Sequence, residues 1–256
     1  MIKEPFHQVT IFKDDNVIAR HNARPKNEPD FHKEGKGLSD AFAKAACNHL
    51  FRWANWFFKN NYDRRALVLE TVATLPGSIA SSHQTWLASR KRQPKNPMIR
   101  EFMDESENER MHLRIFQDVA KPTSFDRFVI GATHWVFGAI FSAGYMMSPK
   151  TAHRFVGYIE EKAVDSYTRY LEEIDAGNMP NPPAPDFAKQ YYKLPDDAML
   201  RDVIIHVRND EMEHRDTNHE AADHLADGHS INEMTPPSYH YQSASVATSD
   251  NRQDLS

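Results

Sequence analysis

Two Glu-x-x-His tetrapeptides, Glu109–His112 and Glu211–His214, lie in segments whose apolar spacing is helical. Residues three apart on a helix are neighbours, about 60° apart around the axis. Glu109 and His112 share a stripe with Phe102, Leu113 and Phe116, and Glu211 and His214 share one with Ile204, Val207, Asn218 and Ala221. Both pairs therefore face a core, and a chain that turns carboxylates inward must fold so that something neutralises them. One pair alone reads as a histidine at the core edge beside a surface glutamate, and roughly one such pair arises by chance at this composition. A third, Glu4–His7, falls in an aperiodic arm and is discarded.

Two further glutamates extend the constraint. Glu70 is the only Asp, Glu, Lys or Arg between Arg65 and Arg90. Glu160 lies on a stripe with Val156, Ala163, Val164, Tyr167, Leu171 and Ile174. Its neighbour Glu161 falls with Arg154, Asp165, Thr168 and Glu172 on what reads as the wet face. The order is Glu, Glu-x-x-His, Glu, Glu-x-x-His, one unit on each of four helices, which is the ligand arrangement of ferritin-like di-iron carboxylate bundles. Four carboxylates balance two divalent ions, so a neutral cluster can sit in a low-dielectric bundle; without metal some carboxyls must hold protons. Oxygen ligands with one imidazole per ion suit iron or manganese better than zinc. The run from His219 to His224 resembles a helical His-Glu-x-x-His zinc site, but position 223 is Asp and His224 is one residue out of phase, so it reads as surface.

The rest of the 256 residues fits an all-helical protein. Nine glycines are few for this length, and the net charge of −5 gives no sign of a nucleic-acid partner. A single cysteine, Cys47, excludes an internal disulfide framework and is expected to pack in the first helix. Residues 1–36 read as an arm, 37–228 as the helical domain and 229–256 as a disordered tail. The first residues resemble neither a secretory signal nor a transit peptide, so the start is native or a presequence was trimmed. Helices are predicted at 39–59, 62–90, 97–119, 124–147, 150–175 and 196–225, with Ser124 as an N-cap.

The fourth segment carries no Asp, Glu, Lys or Arg over residues 128–147, about the length that crosses a bilayer. A buried core helix is the other reading. Gly131, His134, Gly138 and Ser142 dilute its apolarity, and the mean hydropathy of the chain is −0.69. The first segment mixes Phe42, Phe51, Trp53, Trp56, Phe57 and Phe58 with Lys44, Arg52 and Lys59. Aromatic and basic residues beside an apolar helix suit an anchor in one leaflet, so the two segments together are expected to bind a membrane monotopically.

Residues 69–73 (LETVA), 107–112 (ENERMH), 154–164 (RFVGYIEEKAV) and 208–219 (RNDEMEHRDTNH) resemble the four signature segments of the alternative oxidases. The resemblance covers roughly residues 37–225. It implies a ferritin-like four-helix di-iron bundle with two additional membrane-facing helices, a homodimer on one leaflet of an energy-conserving inner membrane, or the cytoplasmic membrane of a bacterium if the start is native. The implied activity is cyanide-insensitive oxidation of ubiquinol, with dioxygen reduced to water at two iron ions and no proton pumping. The family's ligands fall on Glu70, Glu109, His112, Glu160, Glu211 and His214, and its tyrosine near the metals on Tyr167. Quinol-pocket positions fall on Arg52, Arg65, His153 and Ser166; Asn108, Asp210 and Tyr191 are expected to orient the histidines. The sequence departs from the family at Lys162, where an acid is usual, and at Tyr191–Tyr192, where Tyr-Trp is common, a change that touches one hydrogen bond around the histidines. A hydroxylase of quinone biosynthesis, a ferritin-like iron store and a metal-free helical scaffold are the alternatives.

Overall fold

The structure, a computed structural model, describes residues 29–58, 61–91 and 96–234. Among them are seven α-helices and no strand: α1 (Gly37–Phe58), α2 (Tyr62–Lys91), α3 (Pro97–Ala120), α4 (Ser124–Met147), α5 (Pro149–Asp175), α6 (Asp186–Tyr192) and α7 (Leu200–Ala226). A 3-10 turn, Ile231–Glu233, follows.

Helix starts are set by side chains that take up otherwise unpaired N–H groups. Asn96 caps α3 ahead of Pro97, and Ser148 caps α5 ahead of Pro149. At α4 the cap is Thr123, one residue before the expected Ser124, because Thr123 and Asp126 close a reciprocal capping box. The last long helix begins at Leu200 rather than 196. The residues before it fold back on the Pro-rich stretch instead, Ala184 N–H bonding the Ala198 carbonyl at 2.9 Å and Leu200 N–H the Pro182 carbonyl at 2.8 Å. The short α6, which the sequence reading leaves out, fills part of that connection.

Four helices form the bundle. The closest pairings are α2 with α3 and α5 with α7, and α1 and α4 both pack on α2 and α5. The α2–α3 approach depends on Gly77, where a Cβ would run into the Phe102 carbonyl. Ser106 beside it donates to the Thr74 carbonyl at 2.7 Å, which ties α3 to α2 just ahead of Pro76. Two apolar cores lie along the bundle. One joins Leu67, Ile115, Phe116, Tyr167, Leu171, Ile204 and Val207, and the other joins Ala80, Met98, Phe102, Tyr145, Val156 and Ala221. The inward carboxylates sit between them in sequence on every helix. Cys47 is buried with Ala43, Phe51 and Tyr158, as expected, and burial pushes its thiol up to about 12.

The buried-core reading of α4 fails: only 11% of its apolar window is buried, and Phe128, Trp135, Val136 and Ile140 face outward. The wet-face reading of Glu161 and Arg154 also fails. Residues 29–36, the described part of the arm, lie across them. His32 Nδ1 is 2.5 Å from Glu161 Oε2, and the Lys33 N–H donates to Glu161 Oε1 at 2.9 Å. Arg154 is 1% exposed, held by Asp40, Asp223 and His219. His219 is no surface residue either: it is 3% exposed and faces Glu161 through Nε2, fitting against α5 because position 157 is glycine. The tail expected from residue 229 starts in order, with Ile231 and Met234 buried in the second core. Residues 1–28 and 235–256, with the Glu4–His7 pair, lie outside the described residues.

Candidate metal centre

α2 supplies Glu70, α3 Glu109 and His112, α5 Glu160, and α7 Glu211 and His214. Each is at most 8% exposed. One ligand atom from each of Glu70, Glu109, His112 and Glu211 lies within 4.8 Å of the others. His112 Nδ1 is 3.1 Å from Glu211 Oε1 and 3.5 Å from Glu70 Oε2. His214 Nδ1 is 2.6 Å from Glu109 Oε1 and 3.8 Å from Glu211 Oε2. Glu109 and Glu211 thus stand between the two imidazoles, whose rings are 6.3 Å apart.

These short distances are not hydrogen bonds. Glu70 Oε2, both oxygens of Glu109, Glu211 Oε1, His112 Nδ1 and His214 Nδ1 are buried with no hydrogen-bond partner. A fold rarely leaves one such atom bare, since each costs on the order of 1–3 kcal/mol. Six atoms, all of metal-ligating type and all turned to one volume, fit cations as their missing partners. The donor set is oxygen-rich with one imidazole per pair, as iron or manganese prefers.

The protonation of the metal-free site fits the same picture. Burial, then the charges of Glu109 and Glu211, raises the Glu70 carboxyl well above its usual range. Glu160 is raised by burial and then by Glu211 and Glu109. Burial also acts to raise Glu109, but the close His112 and His214 imidazoles outweigh it and hold the group low. Both histidines are pushed up, burial being overcome by the acids around them. Cations would take over the role of these held protons.

Around this set, Asp210 Oδ2 faces His112 Nε2 at 3.0 Å, which leaves Nδ1 to the cluster. The same oxygen accepts from Asn108 at 2.9 Å and from the Tyr192 hydroxyl at 2.7 Å. Asn108 also donates to the Tyr191 hydroxyl at 2.8 Å. Asn108, Asp210 and Tyr191 are therefore brought together beside His112, and Tyr192 joins them. At this position, where the sequence departs from tryptophan, the phenol O–H reaches the carboxylate as an indole N–H could.

Tyr167 donates to Glu70 Oε1 and stacks on Phe116 at 5.6 Å. Arg65 donates to Ser166 and, at 2.9 Å, to Asn55, so Arg65 and Ser166 stand together near the Tyr167 end of α5. Arg52 is exposed on α1. His153 is 2% exposed, with Nδ1 2.9 Å from Asn218 and Nε2 3.0 Å from the Tyr145 hydroxyl. Asn218 donates in turn to Glu105, a buried acid on α3 that helical spacing alone does not single out.

Comparison with known proteins gives a family match: residues 21–223 fit the family described as alternative oxidase. The chain is 44% identical over 191 residues to the mitochondrial ubiquinol oxidase 1c of Arabidopsis thaliana, covering 74% of this chain and 58% of that one. It is 42% identical over 194 residues to a mitochondrial ubiquinol oxidase of Batrachochytrium dendrobatidis, covering 76% and 61%. With ubiquinol oxidase 2 of Nicotiana tabacum it shares 43% over 202 residues, 78% and 68%. The chain thus spans under two thirds of the length of the first two relatives.

Proposed function

The chain belongs to the alternative oxidase family, and from that premise we propose that it is a ubiquinol:oxygen oxidoreductase: two ubiquinols give four electrons and four protons, and one dioxygen becomes two waters, insensitive to cyanide and without proton pumping. The observation that carries this reading is the convergence of six bare ligand atoms inside a four-helix bundle. Glu70, Glu109, His112, Glu160, Glu211 and His214 would hold two iron ions. The ions, when bound, supply the redox chemistry by which dioxygen is reduced.

The protein's own groups supply the surroundings. The two apolar cores keep bulk water from the cluster. Asp210 fixes the tautomer of His112, and Tyr167 is placed to move a proton to or from Glu70. Arg65 and Ser166, with Arg52 and His153, are the proposed quinol contacts.

The quinol is proposed to come from a membrane, bound by α1 and α4 in one leaflet. Support comes from Leu38, Phe42 and Trp56 on α1, and Trp135, Ile140 and Met147 on α4, all exposed. The packing of α4 on both α2 and α5 supports a helix that lies along the bundle in one leaflet. A homodimer on an energy-conserving inner membrane completes the reading, or on a bacterial cytoplasmic membrane.

Oxygen uptake by membranes carrying the chain, with ubiquinol as donor and cyanide present, tests it. Uptake should continue, and should vanish in Glu70→Ala and His214→Ala. No uptake would overturn the oxidase reading, and recovery of a hydroxylated quinone would replace it with a hydroxylase of quinone biosynthesis.

A further inference from the structure

The two halves of the cluster are not built alike. Glu70, Glu109, His112 and Glu211 already present ligand atoms within 4.8 Å of one another, whereas no such set including Glu160 and His214 forms among the described residues. His112 is 0% exposed and is gripped through its outer nitrogen by Asp210, which Asn108 and Tyr192 hold in turn. His214 is 8% exposed, and no side chain among the described residues holds its Nε2. The buried Glu105 acts on it only at longer range. Its helix position is tied instead through the backbone, where Asn218 donates to the His214 carbonyl at 2.9 Å.

A preorganised ligand set binds an ion without first having to order its side chains, and hydrogen-bonded support of a ligating imidazole typically changes metal affinity 10–100-fold. We propose that the two metal positions are unequal: the Glu70–Glu109–His112–Glu211 position fills first and tightly, and the Glu160–His214 position fills second and exchanges faster, with Tyr192 as the positioning residue that sets the difference. The inference rests on the two-metal reading above and adds to it an order of filling. Tyr192 acts through Asp210: its O–H keeps the carboxylate aimed at His112 Nε2, so that Nδ1 is the nitrogen turned toward the cluster.

Anaerobic titration of the full chain, stripped of metal, with Co(II) followed by its ligand-field absorption tests this without any turnover. Two equivalents should bind in distinct steps at least about tenfold apart. Tyr192→Phe should weaken the first step by about tenfold and leave the second unchanged, while Tyr192→Trp, which keeps an N–H donor, should restore it. His112→Ala should remove the tight step and His214→Ala the weak one. For the wild-type protein loaded with iron, release to a chelator should run in two phases of equal amplitude, a measurement that needs no variant to fold. Two equivalents of one affinity with single-phase release would overturn the inference while leaving the two-metal reading intact. Loss of the tight step in His214→Ala would overturn it as well. Binding of fewer than two equivalents would instead defeat the two-metal reading on which it stands.

Discussion

Tyr167 and Glu105 show how much a single side chain can carry in a buried site. Tyr167 bonds Glu70 and meets the charges of Glu70 and Glu211 after burial, so its hydroxyl is pushed well above its ordinary range and stays protonated. Removing that O–H leaves the ring packed on Phe116 and the proposed ligands in place. Tyr167→Phe should therefore keep two irons per chain by metal analysis yet lose turnover on the order of 10²-fold, the usual worth of a positioned proton donor. Full activity in that variant would remove the proton role. Glu105 gives a pH prediction. Burial, opposed by His214 and the Asn218 hydrogen bond, moves its carboxyl from 4.5 to about 7. An acid whose folded pKa lies above its unfolded one favours the fold at low pH. That contribution is whole below about 4.5 and lost as pH rises through about 7, a difference on the order of 3 kcal/mol. Glu105→Gln keeps an acceptor for Asn218 and cannot ionise. Metal-free Glu105→Gln should thus gain on metal-free wild type, by thermal midpoint, between pH 4.5 and 7.5. Parallel profiles would show that Glu105 is not a buried titrating acid.

At the scale of helices, the contact between α2 and α3 sets the distance between Glu70 and the Glu109–His112 pair. Gly77 permits that contact, since a side chain there meets the rigid Phe102 carbonyl rather than a side chain that could yield. Gly77→Ala should destabilise the fold by about 1–3 kcal/mol. Gly131→Ala, in α4 with open space around it, should do the opposite by up to about 1 kcal/mol, the ordinary gain of alanine in a helix. Similar thermal midpoints for the two variants would mean that the helices are free to separate. The buried acids and histidines of the candidate site were legible because inward carboxylates violate the helical hydrophobic pattern, and a violation repeated on four helices has few meanings. Glu70, alone in an apolar stretch, and Glu160, chosen over Glu161 by face, needed only helix geometry. What stayed hidden depended on which surfaces meet. Periodicity assigns Glu161 and Arg154 to one face of α5 but cannot say that residues 29–36 cover it, with Phe31 set against the His219 ring and under the Arg215 guanidinium. The start of α7 and the existence of α6 were likewise decided by long-range pairing across the Pro-rich stretch, not by local propensity.

For the whole molecule, the question is why a water-compatible chain leaves so much apolar surface bare on one pair of helices. Buried carboxylates and exposed tryptophans invert the usual rule, and both inversions involve α2 and α5: the buried Glu70 and Glu160 belong to these helices, and α1 and α4 pack against them. The proposed quinol, with a long apolar tail and a polar ring, would use such a layout to pass from lipid to a polar centre without crossing water. Scattered exposed hydrophobics need no explanation, but a face holding Phe128, Trp135, Val136 and Ile140 on one helix does. Burying a side chain of this size is worth about 1.5–3 kcal/mol, and about 1.4 kcal/mol is a tenfold change in partition. Exchanging Trp135 and Ile140 together for glutamate should therefore lower binding to ubiquinone-containing vesicles by well over tenfold in a sedimentation assay. Neither side chain is buried, so helicity and metal content should stay at wild-type values. Activity with a short-tailed, water-soluble quinol should also survive, while activity with the long-tailed substrate in vesicles should fall with the binding. If the double variant still sediments fully with vesicles, α4 is not the lipid-facing element and its bare face needs another occupant.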